Sequence, residues 1–156
     1  MGRVYSISFT NISVSAVQDL ISVQSTSGMA FKLLEAVFGQ ITVTTIENLR
    51  LTIKRFSGAY TIGSVGAAAT PQKQNFGDAA ATVTARVNDT TQTVVGGGAV
   101  VTERADVLNM INGYQYLAIP DKEIIIAPSQ ALVFSLDTAP GAARVMNGSL
   151  LVEEMF

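Results

Sequence analysis

Three pairs of carboxylates are the residues in this chain whose types and spacing come closest to a catalytic pattern. They are Glu103 and Asp106, Asp121 and Glu123, and Glu153 and Glu154. Catalysis by two carboxyl groups, as in glycoside hydrolysis, needs them at a set separation in a cleft, with one pKa raised by burial. The second pair lies in a turn led by Pro120, and the third points to opposite faces of a predicted strand. Solvated turn charge or ion pairs explain these residues better, and we predict no catalytic site.

Other chemistry is limited by what the chain lacks. It contains no His and no Cys, which excludes the usual catalytic triads, thiol nucleophiles, thiolate zinc sites and disulfides. The Asp121 and Glu123 pair lacks the ligand-dense loop of a calcium site. Gly96, Gly97 and Gly98 lack the third glycine and the following Lys-Ser or Lys-Thr of phosphate-binding loops. We therefore predict that the protein is not an enzyme and has neither a metal nor another cofactor.

The fraction of charged residues is the unusual number in the composition. Charged residues make up 14% of the 156 positions, against about 25% in a typical soluble domain. A net charge of −2 argues against a protein that binds nucleic acid by neutralising phosphates. No apolar run reaches the length of about 18 residues that a transmembrane helix needs. Because sparse charge leaves apolar surface exposed, we expect this surface to be covered by protein partners.

The elements that carry these residues are predicted to be β-strands. Apolar and polar residues alternate with period two, which is typical of half-buried strands; Leu49, Leu51 and Ile53 form the clearest apolar face. The phase holds through 146–153, which predicts one long strand with a kink at Gly148. The stretch 29–38 is interpreted as a strand, and 103–111 fits a helix or a strand. Further predicted strands are 5–10, 19–23, 81–87, 99–103, 114–119, 123–126 and 132–136.

Short strands separated by frequent turns indicate a single all-β domain, a sandwich or a barrel, spanning residues 1–156. One long Gly/Ala-rich loop, at about 57–80, interrupts the pattern and carries few charges. Loops of this length inside a domain tend to be functional or mobile. We expect it to be dispensable for folding.

Several segments resemble small jelly-roll proteins encoded among the structural genes of tailed bacteriophages. The segments are RVYSISF at 3–9, ARVNDTT at 85–91, NGYQYL at 112–117, IPDKE at 119–123 and APSQALVF at 127–134. The resemblance implies an antiparallel jelly-roll-like β-sandwich and a capsid decoration (cement) protein on the outer surface of the phage head. Such a protein would be made in the host cytoplasm, form a homotrimer and bind the phage major capsid protein, without nucleic acid or membrane.

Two alternatives remain open at this stage. One is a tail, neck or fibre-base subunit, and the other is a carbohydrate-binding jelly-roll module in which tyrosines stack on sugar rings. The candidate partner-contact residues are aromatic: Tyr60, Phe76, Tyr114 and Tyr116. Tyr114 and Tyr116 are two residues apart and are expected to share one strand face.

Overall fold

The computed structural model describes residues 2–26, 28–41 and 46–155. Within these ranges the regular structure is entirely β-strand, in fourteen segments. The strands are β1 (Arg3–Val14), β2 (Gln18–Gln24), β3 (Ala30–Gln40), β4 (Asn48–Ser57), β5 (Tyr60–Thr61), β6 (Ala67–Ala69), β7 (Gln72–Lys73), β8 (Thr84–Asp89), β9 (Val94–Val95), β10 (Ala99–Asn109), β11 (Tyr114–Leu117), β12 (Ile125–Ile126), β13 (Ala131–Leu136) and β14 (Arg144–Met155).

These strands form two antiparallel sheets that pack face to face. Sheet A has the order β11-β3-β14-β1-β7, and β12 also pairs with β3 beyond the end of β11. Sheet B has the order β10-β4-β13-β2-β8-β6, and β5 pairs with β9 in a separate ribbon. The prediction of an all-β, antiparallel sandwich is confirmed.

The core between the sheets follows the alternation in the sequence. Leu49, Leu51 and Ile53 of β4 are buried, and they face Phe38 and Leu150 of sheet A in one continuous hydrophobic cluster. Burial of each large aliphatic or aromatic side chain contributes roughly 1.5–3 kcal/mol. The core therefore holds the two sheets together and fixes where their edges lie.

The C-terminal strand β14 is continuous, as predicted. Gly148 within it is explained by packing against two aromatic rings. A Cβ atom at Gly148 would lie 2.5 Å from ring carbons of both Phe9 and Phe38. The irregularity beside it lies in β1, whose register with β14 shifts between Phe9 and Ile12. Asn11 has a φ of 56° in this bulge, and its backbone N–H donates to Asn147 Oδ1 at 2.8 Å. Only a residue without a side chain lets both rings reach the core here.

The stretch 103–111, which fits a helix or a strand by sequence, is a strand from 103 to 109, as the second half of β10. The predicted strand 29–38 falls almost wholly within β3. The register of β10 with β4 shifts between Thr102 and Arg104, so Glu103 is an extra, bulged residue. The Gly/Ala-rich segment 57–80 is not an uninterrupted loop, because it contains the three short strands β5, β6 and β7. Each of them pairs with another part of the chain.

Candidate interaction surface

One side of the sandwich is partly covered by the chain itself. There β7 is the outermost strand of sheet A, and it pairs with two of the twelve residues of β1, Tyr5 and Ser6. The edge of sheet B is extended by β8 and then by β6. The segment between β4 and β10 therefore supplies the outermost strands on this side, which we call the covered side. Such capping strands keep an edge from pairing with other chains.

The same segment also packs on the outer face of sheet B. Phe56, Ala131 and Val133 form a second buried cluster there, with Tyr60 and Ile62 packed against it. The rings of Phe56 and Tyr60 are 6.1 Å apart, within the range of a favourable aromatic pair. The segment around β5 is thus a packed layer on the sheet.

A buried carboxylate, Asp19, links this layer to sheet B. Asp19 Oδ2 accepts the backbone N–H of Thr93 at 2.6 Å, and Oδ1 accepts the hydroxyl of Ser135 at 2.6 Å. Burial raises the pKa of Asp19, and the hydrogen bonds from Ser135 and Thr93 oppose that rise. Beside it, the side-chain oxygen of Thr93 accepts the N–H of Gly63. A Cβ on Gly63 would lie 2.8 Å from Asp89, so the layer sits very close to the sheet.

A second buried carboxylate, Asp89, holds the start of β6. Its Oδ1 accepts the N–H of Gly66 at 2.9 Å, and the guanidinium of Arg86 binds both of its oxygens at 2.8 and 2.9 Å. Asp89 is 1% exposed. A bidentate arginine pair of this kind is a strong, directional interaction.

The opposite side of the sandwich, which we call the open side, has no such cover. β10 and β11 meet in a tight turn where the N–H of Gly113 donates to the carbonyl of Asn109. They then separate into different sheets, β10 at the edge of sheet B and β11 at the edge of sheet A. Among the described strands, only β4 pairs with β10 and only β3 pairs with β11. Two strand edges therefore face each other across a groove.

The groove consists of two adjoining depressions of about 580 and 370 Å³. Both are lined by Arg104, Asp106 and Tyr116. The larger one also reaches Arg55 and Lys122. In a chain with so few charges, this is a marked concentration of ionic side chains.

The bulge at Glu103 explains why polar side chains face inward here. Residues directly opposite in a sheet share a face, and β10 pairs Arg104 with Ile53 and Asp106 with Leu51, both of which are buried. Bulges change the direction of the side chains that follow them. As a result Arg104 and Asp106 lie between the diverging sheets.

These groups form one ordered cluster. The guanidinium of Arg104 lies over the ring of Tyr116, 5.4 Å from its centroid. Arg104 Nε is 3.4 Å from Asp106 Oδ2, which also accepts the hydroxyl of Tyr114 at 2.8 Å. Burial, reinforced by that hydrogen bond, raises the pKa of Tyr114, and burial likewise raises the pKa of Tyr116. Both tyrosines therefore stay protonated, and Tyr114 remains a donor to Asp106.

Exposed apolar side chains surround the groove. They occupy β10, the turn after it, β11 and the connection from β11 to β12. The most exposed are Val107, Ile111, Leu117, Ile119 and Ile125, with 46–64% of their surface accessible. Clusters of exposed aliphatic residues beside an unpaired strand edge are typical of protein contact surfaces.

The structure divides the four predicted contact residues among three places. Tyr114 and Tyr116 lie at the groove on the open side, and Tyr116 is only 5% exposed. Tyr60 belongs to the packed layer on sheet B. Phe76 is 95% exposed in the turn 75–78, whose ends are joined by a hydrogen bond from the N–H of Asp78 to the carbonyl of Asn75. Sequence reasoning missed Arg104, since alternation alone does not reveal a bulge.

The three carboxylate pairs serve different purposes. Glu103 lies 2.9 Å from Arg55, and Glu123 and Glu153 both bind Lys32. Glu154 is fully buried and accepts the backbone N–H groups of Thr82 and Val83. Asp121, with a φ of 68°, lies in the exposed connection after β11. Ion pairing and backbone binding account for most of these residues.

Comparison with known proteins does not identify a family for this chain. No protein-family model, curated protein or solved structure shows significant similarity to this chain. In residues 2–26, 28–41 and 46–155 there is no group of three metal-ligating side chains. The same ranges contain no helix suited to crossing a bilayer. The surfaces of the sandwich are therefore the basis for inferring function.

Proposed function

We propose that the protein is a structural subunit of a bacteriophage virion, a capsid decoration (cement) protein bound to the outer surface of the head. The observation that carries the proposal is the open side, with two unpaired strand edges and a rim of exposed aliphatic residues. A cement protein acts by adding buried interface across the junctions between capsomers. A surface with few charges loses less solvation energy when it is covered, which suits this role.

The strand order supports a jelly roll. Eight strands form the framework when β5 to β9 are treated as an insertion and the two-residue β12, which pairs with β3 beside β11, is left out. They are β1, β2, β3, β4, β10, β11, β13 and β14. Numbered one to eight along the chain, they lie in the orders six-three-eight-one and five-four-seven-two. This alternation between two sheets is the pattern of the double Greek key, which viral capsid and lectin domains share.

Self-association is the second part of the proposal, with a homotrimer as the expected state. An oligomer would cover exposed strand edges and apolar rims that a monomer leaves in water. The major capsid protein is the proposed second partner. Light scattering on the isolated protein would support this part with a trimer mass at micromolar concentration, and a stable monomer would contradict it.

The geometry gives less support to a sugar-binding module. A stacking platform needs an accessible aromatic face, and Arg104 covers one face of the nearly buried Tyr116. Tyr60 lies in the packed layer on sheet B, away from Tyr114. A glycan array showing saturable binding would favour this alternative over a cement protein.

Electron microscopy of purified virions tests the proposed location. Antibody-gold labelling of this chain should mark the head lattice, in a pattern that follows the capsomer junctions. Labelling confined to the tail, neck or fibre base would instead support the other virion role, and absence of the chain from purified virions would reject both.

A further inference from the structure

The side chain of Arg104 is held in place and still has free donors. Stacking on Tyr116 and the contact between Nε and Asp106 restrict the guanidinium from two directions. Its side chain is nevertheless 50% exposed. Within the part of the chain that the structure describes, its two terminal nitrogens have no hydrogen-bond or ion-pair acceptor. A planar pair of donors fixed in this way matches the two oxygens of a carboxylate.

The other charged groups of the groove are mostly neutralised. Glu103 is paired with Arg55, and Glu123 is paired with Lys32. Lys122 is exposed, lines the larger depression and has no ionic partner among the residues described. The unused cationic donors of the groove are thus those of Arg104 and Lys122. Asp106 already opposes the charge of Arg104 at 3.4 Å, so an anion in the groove would gain hydrogen bonds from Arg104 and charge attraction chiefly from Lys122.

The surroundings indicate that this anion is part of a polypeptide. Among the strands that the structure describes, β10 has a partner on one edge only, β4, and the other edge can accept the backbone of an added strand. Exposed Leu117, Ile119 and Ile125 lie along the other wall. An extended segment with an acidic side chain between apolar ones would match both the edge and the donors. A free inorganic anion would use only the donors.

We infer that the groove on the open side binds an extended segment of a partner protein, with a carboxylate of that segment on Arg104 and its backbone against β10. This inference rests on the proposed function, since the segment would belong to the capsid protein. It adds to that function the chemistry by which the partner is recognised, with Lys122 as a supporting cation.

A pair of synthetic peptides tests this inference. The probes are Ac-Thr-Ile-Thr-Glu-Thr-Ile-Thr-NH2 and the same peptide with Gln in place of Glu, titrated into the ¹⁵N-labelled full chain at low salt. We expect the Glu peptide to bind about tenfold more tightly, as one charge-assisted bidentate contact allows. Amide signals of β10 and the Nε–H signal of Arg104 should shift together. Equal affinities, or no binding of either peptide, would overturn the inference.

Variants of the protein test whether Arg104 causes the preference for the Glu peptide. R104M should remove the preference for the Glu peptide, whereas R50M, a matched change at an arginine of β4 outside the groove, should retain it. R104K keeps the charge without the planar donor pair, and we expect it to reduce the preference at least threefold. Preference retained in R104M would contradict the assignment. Sodium acetate that reproduces the peptide's shifts on β10 at similar affinity would show a small-anion site instead.

The two proposals fail in different ways. Gold labelling on virion heads combined with no peptide preference would overturn the groove and leave the cement function intact. Peptide preference in a protein absent from virions would leave the groove and reject the cement function.

Discussion

The two long sides of the β-sandwich differ in how their edges are finished. On the covered side, β7 and β6 supply extra strands, and the buried carboxylates Asp19 and Asp89 fasten the segment that carries them. On the open side, β10 and β11 separate and leave a groove. An edge covered by the same chain stabilises the fold. An edge left open with ordered charges and aliphatic residues is available to another molecule.

The difference also explains where the few charges are. Asp89 on the covered side is buried and fully engaged within the chain. Arg104 and Asp106 on the open side are partly exposed and keep binding capacity. Substitutions on the two sides should therefore separate stability from assembly.

The largest expected effect is on the covered side. Val87 of β8 is 8% exposed within the core cluster, and V87K should lower the free energy of unfolding by about 4 kcal/mol because it buries an unpaired charge. V107K is the matched change on the open side, where Val107 is 61% exposed, and should alter stability by less than about 0.5 kcal/mol. Urea denaturation measures both. Equal losses would remove the distinction between the sides.

A smaller effect is expected for the carboxylates. D89A should cost about 2–3 kcal/mol, because it leaves the N–H of Gly66 and the guanidinium of Arg86 without their acceptor. D106A should cost no more than about 1 kcal/mol, because its partner Arg104 is half exposed and can bind water. Thermal unfolding measures the loss of stability in both variants. A larger loss in D106A than in D89A would contradict the claim that the buried carboxylate contributes more to stability.

The pH dependence of stability gives a finer test of the covered side. Burial raises the pKa of Asp19 above its ordinary value of 3.8, so the folded protein binds the proton more tightly than the unfolded chain. The free energy of unfolding then falls as the pH rises from about 3.8 through the raised pKa. D19N should flatten this decline in denaturation curves between pH 3.5 and 7. D121N removes a carboxylate in an exposed turn and serves as the control for the loss of one acidic side chain.

The smallest effect on stability accompanies a large effect on assembly. V107K should fold normally and yet shift the isolated protein from trimer to monomer, because it places a charge in the exposed aliphatic rim of the open side. T61K is the matched control at an exposed position of β5. Light scattering at equal protein concentration compares them. If T61K were a monomer and V107K remained a trimer, the self-association surface would not be the open side, and the prediction would be wrong.

Alternation predicted much of the framework and little of the groove. The period-two pattern located β4 and β14 because apolar residues predominate at their inward positions, with the buried Arg144 and Glu154 as exceptions near the ends of β14. It could not locate Arg104, since the bulge at Glu103 reverses the phase and turns polar residues inward. The segment 57–80 was predicted as a loop because Gly and Ala have weak strand preference. Its short strands form through long-range pairing with β1 and β8, which local composition does not report.

Hydrogen–deuterium exchange, compared between the free protein and the protein bound to phage heads, tests the central claim most directly. We predict that the backbone amides of β10 that point away from β4 exchange rapidly in free protein diluted until it is monomeric and slowly on the heads. The amides of β8 should exchange equally in both states, because β8 pairs with β2 on one edge and with β6 on the other. Unchanged exchange along β10, with protection appearing at β6 and β8 instead, would contradict the account.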